Sequence, residues 1–347
     1  MGTVFVSKAG NNDNAGTDSG SPKSTIQAAV EAVDHTSAPR IVTILDSGTY
    51  NELIEINPAG NGFGADITIQ GDTGQLPILS GNGLSDIGGV NNGPISIGPV
   101  VPSVTILKNI KFTEFAATQG VLRGDKGIGG GAAYQVSDCE FDQNDKVAQD
   151  LGGTSDKHTT FNRCKFTRND IFINNGSNIH IDITNCVFGG VEDETCIDPG
   201  GGSNSSNTTV QNCSLVVNMD DASIAIRAGV VENCAVQNLT ATSTGGSNTT
   251  KGISALTSRS NNLTFGNFNT QQEGGDDTGA ITGQDPLFVD TTITAPDLSV
   301  PSNSPLIGAG KTIAAITTDF IGTSRAVPYD IGAFQFVYWI GADNPEG

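Results

Sequence analysis

A four-residue pattern recurs along the middle of the chain and orders apolar and polar positions in the same way each time. A polar residue is followed by a small apolar residue or Cys, then by any residue, then by Phe or another apolar residue. The seven units begin at Asn109, Asp138, Arg163, Asn185, Asn212, Asn233 and Asn262. Counted from their second residue, successive units lie 29, 25, 22, 27, 21 and 29 residues apart, a spacing that suits one coil of a solenoid with variable loops.

Within each unit the second and fourth residues are apolar and the third is often polar, which is the alternation of a half-buried strand. Coils that stack at the strand spacing of about 4.8 Å place the second residues in one internal column. That column would contain Ile110, Cys139, Cys164, Cys186, Cys213, Cys234 and Leu263. We predict buried free thiols rather than a disulfide framework, because Cys packs as a small hydrophobe and disulfides need a particular geometry. The first residue, most often Asn, is predicted at a bend, with its side chain bonded to the backbone of a neighbouring coil.

The N-terminal region carries the signals of a short helix. Ser24-Thr25-Ile26-Gln27 reads as a capping box, and Ile26, Ala29, Val30 and Val33 follow at helical spacing. We predict a helix over residues 25–33 whose apolar face covers the first coil. The chain then divides into an N-terminal cap (1–60), β-helix coils (61–275), and closing coils with an aromatic C-terminal segment (276–347).

Composition supports an all-β chain and excludes some partners. The 347 residues include 45 Gly but only 16% charged residues, so the usual helix formers are sparse. A net charge of −20 argues against nucleic acid and anionic membranes as partners. No run approaches the roughly 20 apolar residues of a membrane span. Residues 1–6 lack a basic stretch followed by an apolar one, so no secretion signal is predicted there.

Both ends of the chain resemble those of a known group of proteins. The opening contains Thr25-Ile26-Gln27-Ala28-Ala29 and Gly48-Thr49-Tyr50-Asn51-Glu52, and the closing part contains Asp285-Pro286-Leu287-Phe288-Val289-Asp290, Ser304-Pro305-Leu306-Ile307-Gly308-Ala309-Gly310 and Asp330-Ile331-Gly332-Ala333-Phe334. These motifs are similar to those of right-handed parallel β-helix proteins, a group that includes pectate-lyase-like enzymes, pectin methylesterases, and bacterial and phage surface proteins. The resemblance implies an all-β, right-handed, single-stranded parallel β-helix solenoid with a short N-terminal capping α-helix. It implies no single function, since fold and function are only loosely linked.

The outward positions of the repeat are where chemistry would lie. Stacking places Lys111, Glu140 and Lys165 in one exposed column and Asp142 in the next, and these four residues are the candidate ligand-binding face. In a polysaccharide lyase, Lys165 or Arg168 would act as the base, while Glu140 and Asp142 would hold a Ca²⁺ ion that neutralises a uronate carboxylate. The alternative, which we favour, is a surface ladder of ion pairs.

The C-terminal residues Phe334 to Ile340 form the most aromatic stretch of the chain. One interpretation is a final strand that plugs the solenoid. The other is a docking element in which Phe336, Tyr338 and Trp339 contact a neighbouring subunit, because aromatic side chains are favoured anchors at interfaces.

Two function classes follow from these observations. The first is a structural, receptor-binding or glycan-binding appendage of a phage virion or bacterial surface, partnered by other virion or surface subunits or by copies of itself, with no required cofactor. The second is a secreted lyase that acts on acidic polysaccharide with Ca²⁺. The missing secretion signal, the reduced thiols and the lack of a convincing catalytic constellation favour the first, and they place the protein on a virion, outside the cell or at the cell surface.

Overall fold

The computed structural model of this protein describes most of the chain. The described residues are 2–33, 39–56, 66–82, 84, 95–97, 104–115, 121–124, 133–149, 158–169, 171–174, 180–192, 196–197, 207–219, 223–240, 250–274 and 277–337. Within these ranges there are 27 strands and a single helix, so the predicted all-β class is confirmed. No helix in these ranges has the length and apolar character needed to cross a membrane.

The elements follow one another in short segments. In chain order they are β1 (Gly2–Val6), α1 (Ile26–Ala32), β2 (Arg40–Ile44), β3 (Thr49–Tyr50), β4 (Ile54–Ile56), β5 (Ile67–Gly71), β6 (Ile78–Ser80), β7 (Ile95–Ile97), β8 (Val104–Lys108), β9 (Lys111–Thr113), β10 (Leu122–Gly124), β11 (Ala133–Ser137), β12 (Glu140–Asp142), β13 (Lys146–Gln149), β14 (His158–Asn162), β15 (Lys165–Thr167), β16 (Ile171–Asn174), β17 (His180–Thr184), β18 (Val187–Glu192), β19 (Thr208–Gln211), β20 (Ser214–Asn218), β21 (Ile224–Glu232), β22 (Ala235–Asn238), β23 (Lys251–Ser260), β24 (Leu263–Gly266), β25 (Thr270–Glu273), β26 (Asp277–Thr278) and β27 (Ile281–Thr282).

The strands form three sheets in which every pairing is parallel. The first sheet runs β1-β2-β5-β8-β11-β14-β17-β19-β21-β23-β25, with β26 also paired to β23. The second runs β3-β6-β9-β12-β15-β18-β20-β22-β24-β27, and the third runs β4-β7-β10-β13-β16. Successive coils therefore add one strand at a time to each sheet, which is the predicted parallel β-helix.

A single residue turns the chain from the first sheet into the second. This residue has a left-handed backbone in seven successive coils, with φ between 51° and 56°, at Asn109, Asp138, Arg163, Asn185, Asn212, Asn233 and Asn261. Asn and Asp adopt this conformation more readily than other side chains, which explains why they fill six of the seven positions. The predicted bend is correct in six units. In the last unit it is wrong by one residue, because Asn261 rather than Asn262 makes the turn.

The shift in the last unit exchanges its inner and outer faces. Ala235 pairs with Leu263, so Asn262 stands in register with Cys234 and occupies the internal column in place of Leu263. Asn262 is completely buried, accepts from the Cys234 backbone N–H at 2.9 Å and donates to the Val231 carbonyl at 2.8 Å. Leu263 instead faces outward, since a one-residue slip moves every side chain to the other face.

The cysteine column is confirmed in the other coils. All six cysteines are free and buried, including Cys196, which lies outside the column. Each column thiol donates to the carbonyl two residues before it, as Cys186 does to Thr184 at 3.2 Å. Burial raises the pKa of the Cys139 and Cys186 thiols, which keeps these groups protonated as donors.

A stack of aromatic rings forms beside the thiols. The rings of Phe112, Phe141, Phe166 and Phe188 face one another on successive coils, with centroids 5.0, 5.1 and 4.6 Å apart. Parallel strands in register bring like residues within stacking distance, so the repeat itself produces this core.

Helix α1 covers the first coil as predicted, although its cap differs. Thr25, not Ser24, is the N-cap, and its hydroxyl accepts from the Ala28 backbone N–H at 3.3 Å. The carboxylate of Glu52 accepts from the next two helix N–H groups, those of Ile26 and Gln27, at 2.9 Å each. A distant acid therefore completes the cap, in keeping with the affinity of helix N-termini for negative charge.

The predicted plug, residues 334–340, lies partly outside the described residues and stays a prediction. The predicted closing coils reach β26 and β27, and residues 284–337 follow them as the C-terminal segment. They add no strand to the three sheets and lie instead along the outer side of the second sheet. Four outward side chains of that sheet pack against the segment: Val187, Val216, Ala235 and Leu263. The segment contributes Phe288, Leu298, Leu306, Ile331 and Ala333. The outward positions are apolar here because they are covered.

The bend asparagines also hold this segment. The side chain of Asn233 exchanges two 2.7 Å hydrogen bonds with the backbone of Lys311, and Asn261 donates to the Ala309 carbonyl at 2.8 Å. Asn233 also donates to Asn212 at 2.8 Å, which is the ladder contact between coils. For Asn233 the partner on the neighbouring coil is a side chain and the backbone partner belongs to the C-terminal segment, so the predicted bond to the backbone of a neighbouring coil is not found there.

Arg325 joins the segment to the solenoid. Its side chain is buried and donates to the Asn185 side-chain oxygen at 2.9 Å and to the carbonyls of Gly332 and Ala333 at 2.9 and 3.2 Å. One guanidinium thus binds a bend residue and the closing motif together.

Replacing this guanidinium should release the segment. We expect Arg325→Ala to lower the free energy of unfolding by about 2 to 4 kcal/mol, because several buried carbonyls lose their donor. Hydrogen exchange should increase in residues 284–337 and much less in the strands. The control is Lys311→Ala, which removes a half-exposed ion pair with Glu232 and should cost less than about 1 kcal/mol. Equal exchange in the Arg325→Ala and native proteins would contradict this role.

Candidate functional site

The outer side of the second sheet is charged where the C-terminal segment does not cover it. We call this surface the open face and define it as Lys111, Thr113, Glu140, Asp142, Lys165, Thr167 and Arg168. The strand register pairs Glu140 with both Lys111 and Lys165, and Asp142 with both Thr113 and Thr167. The two predicted columns are therefore confirmed as neighbours, while their role in binding or catalysis stays a prediction.

Asp142 is the centre of the open face. Arg168 binds it through two nitrogens, with Nε 2.9 Å from Oδ1 and Nη2 2.6 Å from Oδ2. The Thr167 hydroxyl donates to Oδ1 at 2.9 Å, and the Lys111 ammonium lies 3.2 Å from Oδ2. Only 7% of Asp142 is exposed, so these donors replace most of its water.

The charge of Asp142 is stabilised by its partners. Burial raises the pKa of this carboxyl, but the hydrogen bonds from Arg168, Thr167 and Lys111 together lower it by more. The pKa of Asp142 therefore lies below its usual range. Asp142 is consequently ionised at neutral pH. Asp142 forms an ion pair with Arg168. The Lys111 ammonium lies near both Asp142 and Glu140, and it is 3.9 Å from the Glu140 carboxylate.

This arrangement favours the ion-pair ladder over a Ca²⁺ site. Calcium needs six to eight oxygen ligands, and both oxygens of Asp142 already accept from cationic or hydroxyl donors. Among the described residues, no group of three or more His, Cys, Asp or Glu side chains is placed to hold a metal ion. Arg168 is likewise committed to Asp142 through two hydrogen bonds.

Lys165 differs from the other cations of the open face. It stands between Glu140 and Val187 in the outward column and is partly exposed, and its ammonium makes no hydrogen bond or ion pair with the described residues. Its ammonium is therefore the positive charge that the open face can offer to a ligand.

The open face ends at a wall formed by the C-terminal segment. Gly189 follows Thr167 in the outward column, and a Cβ added there would lie 2.6 Å from the Pro296 ring and 3.1 Å from the Ile293 carbonyl oxygen. Glycine is needed at this position because the segment approaches the strand so closely. Sequence reasoning missed this boundary, although the pair Gly189-Gly190 inside an apolar strand is a signal of close backbone approach.

The column also extends in the other direction. Ser80 pairs with Thr113, and its hydroxyl donates to the Glu114 carboxylate at 3.1 Å. Glu114 has a left-handed backbone with φ of 61°, which turns the chain after β9. Ser80 is buried and Glu114 is exposed, so the Glu114 carboxylate adds a negative charge beside the open face. The short strand β6 gave no charge pattern that would have identified Ser80.

The three predicted interface residues lie at the end of the described chain. The Phe336 backbone N–H donates to the Asp330 carboxylate, and its side chain is partly buried. Tyr338 and Trp339 lie outside the described residues. Their part in an interface stays a prediction.

Comparisons with known proteins bear on the fold. No protein-family model matches the sequence, and no curated protein matches it either. A solved structure, that of pectate lyase Pel9A, is similar to this chain over 96% of both chains, with 13% sequence identity and a TM-score of 0.46. The parallel sheets and in-register columns above establish the β-helix independently of that similarity.

The Asp142 centre should make stability depend on pH. We expect Asp142→Asn to lower the free energy of unfolding by about 1 to 2 kcal/mol at neutral pH, because Arg168 and Lys111 lose their counter-charge. A carboxyl whose folded pKa is depressed stabilises the protein above its unfolded pKa, near 3.9, and this contribution is lost as pH falls through the folded value. In thermal unfolding, the stabilities of the native and variant proteins should therefore begin to converge as the pH falls below about 4.

Glu140→Gln is the matched control, since the Glu140 carboxylate is more exposed and lies 3.9 Å from Lys111. It should change stability by less than about 0.5 kcal/mol at any pH. The ion-pair explanation would be contradicted if the free energies of unfolding of Asp142→Asn and the native protein differed as much at pH 3 as at pH 7.

Proposed function

We propose that this protein is a non-catalytic β-helix that binds an acidic glycan on its open face, as an appendage of a phage particle or a bacterial surface. The supporting observation is the local charge of that face. Lys111 and Arg168 are paired with Asp142, whereas the Lys165 ammonium has no ion-pair partner among the described residues, so the face offers a cation in a chain whose net charge is −20. An acidic polymer repelled elsewhere would be directed to this surface.

The geometry suits an extended polymer. Parallel strands present side chains in rows about 4.8 Å apart, so a ligand that lies across β9, β12 and β15 meets a regular series of charged and hydroxyl groups. Hydrogen bonds hold Asp142, Thr167 and Arg168 rigid before any ligand arrives, which reduces the entropy cost of binding. Lys165 then supplies the contact that is not already used within the protein.

A polysaccharide lyase is the second candidate function, and the free ammonium of Lys165 is the observation that favours it. In that case Lys165, as its neutral amine, would accept the proton α to a uronate carboxylate while a cation neutralises that carboxylate, and the glycosidic oxygen at the β carbon would leave as the C=C bond forms. The predicted Ca²⁺ ligands, Glu140 and Asp142, would first have to exchange the donors that they now bind. The ion pair of Asp142 with Arg168 therefore supports binding without turnover.

One variant separates the two functions. We expect Lys165→Ala to weaken binding of a uronate-rich polysaccharide by roughly tenfold, because one charge-assisted contact is lost, while folding is preserved. Binding would be measured by calorimetry with polygalacturonate, and turnover by the absorbance of unsaturated products with and without Ca²⁺. Lys108→Ala, on the exposed end of β8, is the control for general charge effects. Unsaturated product that disappears in Lys165→Ala would establish the lyase instead, and equal binding by all variants without any unsaturated product would refute both.

An appendage also needs an attachment surface, for which the aromatic end of the chain is our candidate. Val337 and Ile321 are 58% and 69% exposed, and the Asp319 carboxylate accepts from the backbone N–H groups of Ile321 and of Gln335, two residues before Val337. Exposed apolar side chains at the edge of an ordered element are common in interfaces. We propose that Phe336, Tyr338 and Trp339 extend this surface toward a neighbouring subunit.

Self-association should depend on these aromatic residues. We expect the full chain to form oligomers and the double variant Tyr338→Ser, Trp339→Ser to be a monomer, because aromatic anchors provide much of the binding energy at interfaces. Light scattering after size exclusion would measure the mass. Leu256→Ser, which removes a 52% exposed apolar side chain on β23, is the control and should keep the native mass. A native protein that is itself a monomer would contradict this attachment.

A further inference from the structure

A cavity lies where the C-terminal segment leaves the last coil. Its volume is about 430 Å³, and it is lined by Gln237 on β22 together with Asp285, Leu287, Phe288, Thr291 and Pro301 of the segment. Pockets that bind small ligands have volumes of about 300 to 1,000 Å³ and combine apolar walls with a few polar groups. The cavity meets both conditions.

Gln237 is the polar group on the solenoid side of the cavity. It stands in the same outward column as Asp142 and Thr167, two coils beyond Gly189. Its carboxamide oxygen is shielded from water and accepts no hydrogen bond from the described residues. A buried acceptor without a donor is costly, and rotation about the last side-chain torsion turns an amide with little resistance. The oxygen can therefore accept from a donor in the cavity once this torsion turns it out of its shielded position.

The opposite wall has an unusual backbone. Leu287 has a left-handed conformation with φ of 61°, which is strained for a branched side chain. The Asp285 carboxylate holds this turn by accepting from the Leu287 backbone N–H at 2.8 Å. Strain of this kind persists where the surrounding structure requires it, and it is concentrated at binding sites. Here it sets Leu287 and Phe288 side by side on the cavity wall.

The chemistry of the walls selects the ligand. Gln237 and Asp285 offer acceptors, Thr291 offers a hydroxyl, and Leu287, Phe288 and Pro301 offer apolar surface. The Asp285 carboxylate disfavours an anion, and Asp290 and Asp297, joined through their backbones beside the cavity, add to this repulsion. A ligand with several hydroxyl donors, an apolar ring face and no charge fits all of these groups.

We propose that this cavity binds one neutral sugar unit, with a sugar hydroxyl donating to Gln237. The site is separate from the open face, because the C-terminal segment covers the intervening outward positions at Gly189 and Val216. The ligand class also differs, since the open face offers the ammonium of Lys165 and the cavity offers the carboxylate of Asp285. A result that refutes glycan binding at the open face therefore does not refute sugar binding in the cavity, and the reverse also holds.

Binding of neutral sugars to the full chain tests the proposal. The probes are the methyl glycosides of glucose, galactose, mannose and N-acetylglucosamine, with galacturonate as the anionic comparison, followed by ligand-detected nuclear magnetic resonance at millimolar concentrations. We expect at least one neutral glycoside to bind and galacturonate to bind more weakly. Gln237→Ala should reduce that affinity by roughly tenfold, because its amide oxygen is the acceptor.

Two further variants make the result decisive. Gln135→Ala removes an exposed glutamine from the outer side of β11 and should bind like the native protein. Leu287→Gly relieves the left-handed strain but removes an apolar wall, so it should fold normally and bind several-fold more weakly. No binding by any neutral glycoside, stronger binding of galacturonate, or native affinity in both Gln237→Ala and Leu287→Gly would each overturn the proposal.

Discussion

The left-handed bend between the first and second sheets is the constraint on which the rest of the structure depends. One residue turns the chain, and it does so at the same point of seven successive coils, from Asn109 to Asn261. Because the turn has no variable length, the strands that follow it start in register, and like residues stack directly. The thiol column, the phenylalanine stack and the two charged columns all result from that register.

The same bends determine where the C-terminal segment lies. Asparagine suits a left-handed turn and also carries a side chain that can bond outside the coil, so Asn185, Asn233 and Asn261 hold Arg325, Lys311 and Ala309. The segment is an irregular chain without sheet partners of its own, and these fixed points replace a ladder of backbone hydrogen bonds. Its apolar residues then bury Val187, Ala235 and Leu263, which would otherwise be exposed.

Sequence reasoning succeeded where the information is local and periodic. The coil spacing, the buried thiols and the in-register pairing of Lys111, Glu140 and Lys165 follow from alternation within each unit. The prediction failed in the last unit because Asn261 and Asn262 are both asparagine. The run Asn262-Leu263-Thr264-Phe265 satisfies the repeat pattern, although it starts one residue after the bend at Asn261. Only the burial of Leu263 beneath a segment distant in sequence explains why an apolar residue can face outward there. The ion pair of Asp142 with Arg168, the Glu52 cap and the cavity were missed for the same reason, since each depends on contacts between distant elements.

The covered and open parts of the second sheet explain how one repeating scaffold can present two different surfaces. The outward column that contains Asp142 continues through Thr167, which binds the Asp142 carboxylate. After these two residues it continues with Gly189, Val216 and Gln237 on the next three coils. Glycine and valine admit the C-terminal segment, whereas Asp142 and Gln237 lie on either side of it. Substitutions at these positions do not disturb the core, because they point away from the thiols and the phenylalanine stack. The solenoid can therefore keep its interior constant while the outward column decides which coils are covered, which are charged and which border a cavity.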